Sequence, residues 1–137
     1  KNSFLHLDMK PSNILLRASG VPLILDLGAA FKIPKSDAQK VHTLTHGYSS
    51  PQQHKKEGLS YASDLYAVAM TMRACIMHRS PPSAIKRMKK DTVRMISETH
   101  SKHFSKGMLE AIDMTSHLDH RERPQTVDEF IEIMTSR

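Results

Sequence analysis

His6, Asp8, Lys10 and Asn13 fall within the single stretch His6-Leu7-Asp8-Met9-Lys10-Pro11-Ser12-Asn13, which runs straight into Ile14-Leu15-Leu16. After one turn, Leu23-Ile24-Leu25 leads to Asp26-Leu27-Gly28. A pair of carboxylates, a lysine and an asparagine therefore stand at the ends of two short apolar runs. Carboxylates that converge in a cleft repel one another unless a divalent cation lies between them. Magnesium takes oxygen ligands, usually one or two carboxylates plus substrate phosphates. Lysine is a point charge suited to a phosphoryl oxygen. The chemistry such a set serves is the handling of phosphate.

Each residue taken singly has a duller explanation. Asp8 and Asp26 read equally well as turn caps, Asn13 as a turn residue, and His6 as a core histidine supporting the loop. The order is more specific than its parts. H-x-D-x-K-P-x-N, an apolar strand, a hairpin, a second apolar strand and D-x-G resembles the catalytic loop and metal-binding motif of eukaryotic-type protein kinases. The resemblance implies that Asp8 accepts or orients the hydroxyl proton of a peptide substrate and that Lys10 steadies the transferring phosphate. It implies an ATP site formed by Lys10, Asn13, Leu15 and Asp26, with Leu15 facing the adenine. Asn13 and Asp26 would hold Mg2+, or Mn2+ in its place. Lys10 two residues after Asp8, together with Thr45, matches the serine/threonine class. The implied reaction is transfer of the γ-phosphate of ATP to a protein hydroxyl.

The resemblance continues to the end of the chain. Thr45-His46-Gly47-Tyr48-Ser49-Ser50-Pro51-Gln52 is similar to a bacterial form of the substrate-docking turn and A-P-E motif, with Thr45, Gly47 and Tyr48 as docking residues. Ser63-Asp64-Leu65-Tyr66 fits S-D-x-Y, whose aspartate caps backbone amides of the catalytic loop. His120-Arg121-Glu122-Arg123-Pro124 resembles the terminal R-P motif, whose arginine pairs with the A-P-E glutamate. With Pro81-Pro82-Ser83-Ala84 and Ala111-Ile112-Asp113, the pattern is nearest to bacterial serine/threonine kinases.

Three departures carry consequences. Leu7 stands where an arginine usually grips a phosphorylated activation segment, so activity is expected not to depend on phosphorylation there, for instance at Thr43. Leu27 replaces the phenylalanine of D-F-G and leaves the metal ligand in place. Gln52 replaces the A-P-E glutamate and deprives Arg123 of its ion-pair partner, although an amide carbonyl can still accept from arginine.

The elements that must position these residues follow from patterning. Asn13 to Arg17 and Val21 to Asp26 are β-rich apolar runs joined by Ala18-Ser19-Gly20, a hairpin that brings Asn13 and Asp26 to the same end. Ala29 to Gln53 has no periodicity and reads as a surface loop, the activation segment in a kinase. Tyr61 to Met77 is apolar nearly all round and belongs inside the fold, with Asp64 as an anchor that needs donors. Pro81-Pro82-Ser83 opens a helical stretch carrying Ile85, Met88, Met95 and Ile96, with a break near Asp91-Thr92. Ser105 caps a helix with Met108, Leu109, Ile112 and Leu118 inward. Thr126-Val127-Asp128-Glu129 reads as a capping box for a last helix burying Val127, Phe130, Ile131 and Met134. The nine methionines are expected mostly at core positions.

The expected fold is mainly α: the helical C-terminal lobe of the protein-kinase-like α+β fold, with a short β-hairpin at the catalytic cleft, across residues 1–137. No glycine-rich loop or V-A-I-K-type strand precedes the motif, so the chain reads as one lobe whose N-terminal partner lobe lies elsewhere, inactive in isolation. Net charge is +6, and the densest basic stretch, Lys86-Arg87-Met88-Lys89-Lys90, reads as a solvated helix face. No aromatics interleave with it to stack bases, so no specific nucleic-acid partner is expected. Cys75 is the sole cysteine, which excludes an internal disulfide and fits a reducing, cytoplasmic setting. On an apolar helix it reads as a buried, inert thiol. No apolar run reaches membrane-spanning length. The partner is a protein substrate. Rival functions are a catalytically silent kinase-like scaffold, a small-molecule phosphotransferase of the aminoglycoside or choline type, and a basic nucleic-acid binder.

Overall fold

The computed structural model describes residues 4–32 and 44–136. Its centre is helix α2, Tyr61–Met77, and the bounds coincide with the apolar run. Leu65, Tyr66, Ala69, Met70 and Ile76 on it are buried. Three clusters pack around it. Tyr66, Met70 and Ala74 meet Tyr48; Ile76 meets Ile96, Leu109 and Ile112; Leu65 meets Ala111 and Phe130. The last two clusters bring in α4 (Ile96–His100), α5 (Lys106–Thr115) and α6 (Val127–Thr135). Truncating a fully buried leucine such as Leu109 costs about 2–5 kcal/mol, transfer and cavity terms together. Gly107 opens α5 beneath the end of α6. A Cβ there would lie 2.5 Å from the Ser136 carbonyl oxygen and 2.7 Å from that of Ile133.

Above the helices lie short antiparallel pairs. Strand β2 (Ile14–Leu16) pairs with β3 (Pro22–Ile24), placing Ile14 opposite Ile24 and Leu16 opposite Pro22. The turn closes with Gly20 N–H donating to the Arg17 carbonyl, and Gly20 has φ +81°. Strand β1 (Phe4–Leu5) pairs with β4 (Phe31–Lys32), tying the start of the chain to the segment after Gly28. These two-residue strands carry too few positions for a period-2 pattern to register.

Several expectations need correction. The hairpin strands are shorter than read: Asn13 belongs to a 3-10 turn, Pro11–Asn13, because Pro11 supplies its fixed φ at the first position. The loop expected through Gln53 ends earlier, in helix α1 (Pro51–Lys55). Ser50 caps it, accepting from Gln53 N–H while the Gln53 side chain accepts from Ser50 N–H. Cys75 is exposed. It sits at the end of the stripe Tyr61, Asp64, Val68, Met72, Cys75, the least covered face of α2.

Helix α3 (Ala84–Lys89) opens after Pro81-Pro82-Ser83 as anticipated and is capped by Ser83, yet it turns inward the opposite face. Ile85 and Met88 are 40% exposed, whereas Ala84 and Arg87 are buried. The basic stretch is thus not wholly solvated. Arg87 donates to the Tyr66 hydroxyl at 3.0 Å, to the Ser116 carbonyl at 2.8 Å and to both oxygens of Asp91. This short helix is docked by a guanidinium, so its aliphatic residues are left outside. Met95 and Met114 are likewise exposed, as are Val127 and Ile131 on α6, where Phe130 is buried and Ile133 and Met134 pack against its cluster. Thr126 caps α6 through Glu129 N–H, but the Glu129 carboxylate takes Gln125 N–H instead of closing the box on Thr126.

Candidate active site

The loop that carries Asp8 is held from beneath. Asp64, on the first turn of α2, accepts from His6 N–H at 2.6 Å and Leu7 N–H at 2.8 Å. Burial pushes the Asp64 carboxyl above its ordinary value of 3.8, and the two amides pull in the other direction. From the side, Gln53 Nε2 donates to the Leu7 carbonyl at 2.8 Å. His6 completes the frame: its Nδ1 accepts from Asp8 N–H at 3.1 Å, and its Nε2 lies 3.2 Å from the Leu25 carbonyl. The first bond fixes the tautomer, so Nε2 carries the proton and donates to Leu25. His6 is therefore a brace between the loop and the hairpin.

These contacts hold Leu7 at φ +61° with its side chain 3% exposed. A left-handed conformation costs a non-glycine residue on the order of 1–2 kcal/mol. The strain turns Leu7 into the core and Asp8 upward. Asp8 then gathers three side chains. Its Oδ1 accepts from the Thr45 hydroxyl at 3.0 Å, and Lys10 Nζ stands 3.4 Å away. Lys10 also donates to Thr45 Oγ1 at 3.3 Å. Asn13 Nδ2 donates to the Asp8 carbonyl at 2.9 Å and to Oδ2 at 3.1 Å. With its amide nitrogen so engaged, no donor among the described residues reaches the Asn13 side-chain carbonyl.

Asp26 is reached through the hairpin, where Leu25 N–H donates to the Asn13 carbonyl at 2.8 Å. Asp26 is exposed at φ +56°, and its Oδ1 accepts from Gly28 N–H at 2.9 Å. Its second oxygen has no bond among the described residues. Among the described residues Asp26 makes no side-chain hydrogen bond to Asp8 or Asn13, so hydrogen bonds and an ion pair join Asp8, Lys10, Asn13 and Thr45, while Asp26 stands one residue beyond the register point. Leu15 is 51% exposed on the same hairpin, with Leu16, Ile24 and Leu27 exposed around it.

The turn from Thr45 to Ser49 is equally constrained. Tyr48 and Ser49 N–H both donate to the Thr45 carbonyl, and Ser49 Oγ accepts from Thr45 N–H. Gly47 has φ +93°, and a Cβ on it would lie 2.7 Å from the Pro81 carbonyl oxygen. Only glycine fits. Tyr48 is buried against α2. Gln52 and Arg123 meet: Arg123 Nη2 donates to Gln52 Oε1 at 3.1 Å. Arg123 is 3% exposed and also donates to the carbonyls of His117, Leu118 and Ala62 while lying 4.8 Å from the Tyr66 ring centre. Burial lowers its pKa to about 10. Thr43 lies outside the described residues.

Gln53 went unrecognised as a support for the loop. Its signal was available, since Ser50-Pro51-Gln52-Gln53 is a capping box in plain sequence. What could not be read is that the same side chain reaches Leu7.

The constellation can orient a hydroxyl against a carboxylate beside a cation, and its origin is fixed by comparison. A family model described as the protein kinase domain matches residues 1–135. The chain belongs to the protein kinase family. The kinase PknD of Mycobacterium tuberculosis is 29% identical over 82 residues, 58% of this chain and 12% of that protein. G protein-coupled receptor kinase 1 of Caenorhabditis elegans is 32% identical over 120 residues, 86% of this chain and 19% of that protein. Bacterial and animal kinases are thus both among its relatives. A solved structure described as PpkA-294 in its apo form superposes with a TM-score of 0.79 at 26% identity, covering 95% of this chain and 46% of that one. The chain spans 12–23% of the length of the curated relatives it matches. Its helical lobe with a small hairpin is the kinase-like fold. Among the described residues, no helix is long and apolar enough to cross a membrane.

Proposed function

We propose that this kinase domain belongs to a bacterial-type, cytoplasmic serine/threonine protein kinase, which transfers the γ-phosphate of ATP to serine or threonine hydroxyls of a protein substrate. The observation that carries the reading is the set of contacts at Asp8. One carboxylate oxygen receives a threonine hydroxyl with a lysine beside both, the arrangement a substrate hydroxyl and a transferring phosphate need. Phosphoryl transfer asks for positioning and charge neutralisation more than covalent chemistry. In this reading Asp8 orients the hydroxyl, Lys10 offsets charge on the phosphoryl oxygens, and Thr45, Gly47 and Tyr48 shape the peptide-docking turn.

The donor set fits Mg2+. The uncommitted oxygens of Asn13 and Asp26 are hard ligands at one end of the hairpin, and no group of His, Cys, Asp and Glu among the described residues forms a closed cage. Such a site holds magnesium only with substrate phosphates and water completing the shell. The metal would supply charge neutralisation for the phosphates. The exposed apolar hairpin around Leu15 fits an adenine and a covering N-terminal lobe that brings the glycine-rich loop.

The test is radiolabel transfer from γ-labelled ATP by the intact protein, compared with its Asp8→Asn and Asp26→Ala forms. Transfer by the parent should fall by about 10²–10⁴ in Asp8→Asn and be lost in Asp26→Ala. A silent scaffold is the second reading, favoured by the Thr45 hydroxyl and Lys10 already occupying Asp8 Oδ1. Equal, background-level incorporation in all three proteins would establish it.

A further inference from the structure

Between the end of α2, the Pro81–Pro82 turn, α3 and the segment before α4 lies an open cleft of about 730 Å3. Arg73, Arg79, Lys86 and Arg94 line it, and no carboxylate does. Among the described residues, Arg79, Lys86 and Arg94 have no ion-pair partner. Arg73 is buried, stands 3.6 Å from Asp113 and donates to the Arg94 carbonyl, which pins the segment to α2. Its Nη1 makes no hydrogen bond among the described residues. The nearby carboxylates are engaged: Asp91 by Arg87, and Asp113 by the Ile96 and Ser97 amides. Uncompensated cations held in one concavity focus potential and recruit an anion. Ser80 and Thr92 add hydroxyl donors at the wall.

We propose that this cleft recognises a phosphoserine or phosphothreonine side chain on the protein substrate, so that the kinase prefers substrates already phosphorylated. The inference rests on the reading of Gly47 as part of a peptide-docking turn. Pro81 joins the two regions: it lines the cleft, and its carbonyl is the atom packed against Gly47. The cleft and the turn are thus neighbours through a single residue. The charge count favours phosphate over a single carboxylate, because a phosphate monoester brings about −1.5 to −2. The volume exceeds what free phosphate needs and suits a phosphate attached to a peptide. Nucleic acid is disfavoured because no aromatic ring lines the cleft to stack a base.

The experiment is fluorescence anisotropy on the intact protein without ATP, using degenerate peptide libraries centred on serine, phosphoserine or glutamate. Inorganic phosphate and a homopolymeric RNA serve as competitors. The phosphoserine library should bind at least about tenfold tighter than the serine library, as charge-assisted bonds to arginine imply. Arg79→Glu/Arg94→Glu, with thermal melting as its folding control, should erase that difference, and the milder Lys86→Gln should reduce it. Equal binding of the serine and phosphoserine libraries, or a preference that survives in both variants, overturns the inference. Displacement by inorganic phosphate at the same concentration as phosphopeptide would make it a free-oxyanion site, and tighter binding of RNA would make it a nucleic-acid site; either overturns it. Because no turnover is read, failure of phosphotransfer and failure of this inference are separate results.

Discussion

Asp64 and Arg123 answer the same problem with opposite charges. Arg123 is a buried ion against α2 and Asp64 a half-buried one on it, and each is met chiefly by peptide groups: Asp64 by the amides of His6 and Leu7, Arg123 by the carbonyls of Ala62, His117 and Leu118. The difference is what they hold. Asp64 fixes the loop that carries Asp8, whereas Arg123 fixes α1, just after the Gly47 turn, through the neutral Gln52. A buried charge does not require a counter-ion when oriented dipoles surround it, and the dipoles it gathers become rigid in return. One anchor therefore holds the loop of Asp8 and the other holds the helix that follows the Gly47 turn.

The largest effect is expected at Asp64. Replacing it by alanine orphans both amides and removes charge-assisted bonds, a loss of about 3 kcal/mol or more in denaturant unfolding. Asp64→Asn keeps one acceptor and should lose less. Arg123→Met comes next, since four acceptors lose their donor while the ring of Tyr66 keeps an apolar neighbour; destabilisation of about 2–3 kcal/mol is expected. If Arg123→Met proved the more damaging of the two, the ranking of the anchors would be reversed. Leu7→Arg, which restores the family's usual residue, should destabilise by about 1–3 kcal/mol instead of conferring control by phosphorylation, because the side chain points into the core. Gln52→Glu gives Arg123 an anion and should raise the melting temperature by a few degrees, on the order of 1 kcal/mol.

The smallest effect lies in pH dependence, and here Asp64 parts company with Asp91. Asp64 has a raised folded-state pKa, so its linked stability is complete below 3.8 and fades as pH climbs through the raised value. Burial raises the Asp91 carboxyl as well, but its bonds to Arg87 outweigh that and hold it below 3.8. Its contribution is present above 3.8 and lost as pH falls through the lowered value. Asp91→Asn should flatten the acid limb of a stability–pH curve, and Asp64→Asn the limb just above it.

How much of this was visible in the residues depends on how far each signal reaches. Local signals held: the bounds of α2, the opening of α3 after Ser83, the Ser105 and Thr126 caps, and the hairpin turn are all written within a few positions. The meeting of Gln52 with Arg123 and the seat of Asp64 under the loop came from recognising the family. Facing was not legible where polar and apolar residues compete for the same interior. Arg87 is inside and Ile85 outside because Tyr66, Ser116 and Asp91 offer partners from distant parts of the chain. The exposure of Cys75 was not legible because α2, apolar nearly all round, carries no mark of which stripe its neighbours leave bare.

Leu7 sits in a pose it would not choose, imposed by Asp64 below and Gln53 beside it. A backbone kept out of its own minimum relaxes as soon as its clamps loosen. On the proposed kinase reading, small losses of rigidity in the central rod should therefore blunt turnover well before they melt the domain, and a screen for impaired phosphotransfer would return substitutions far from any substrate.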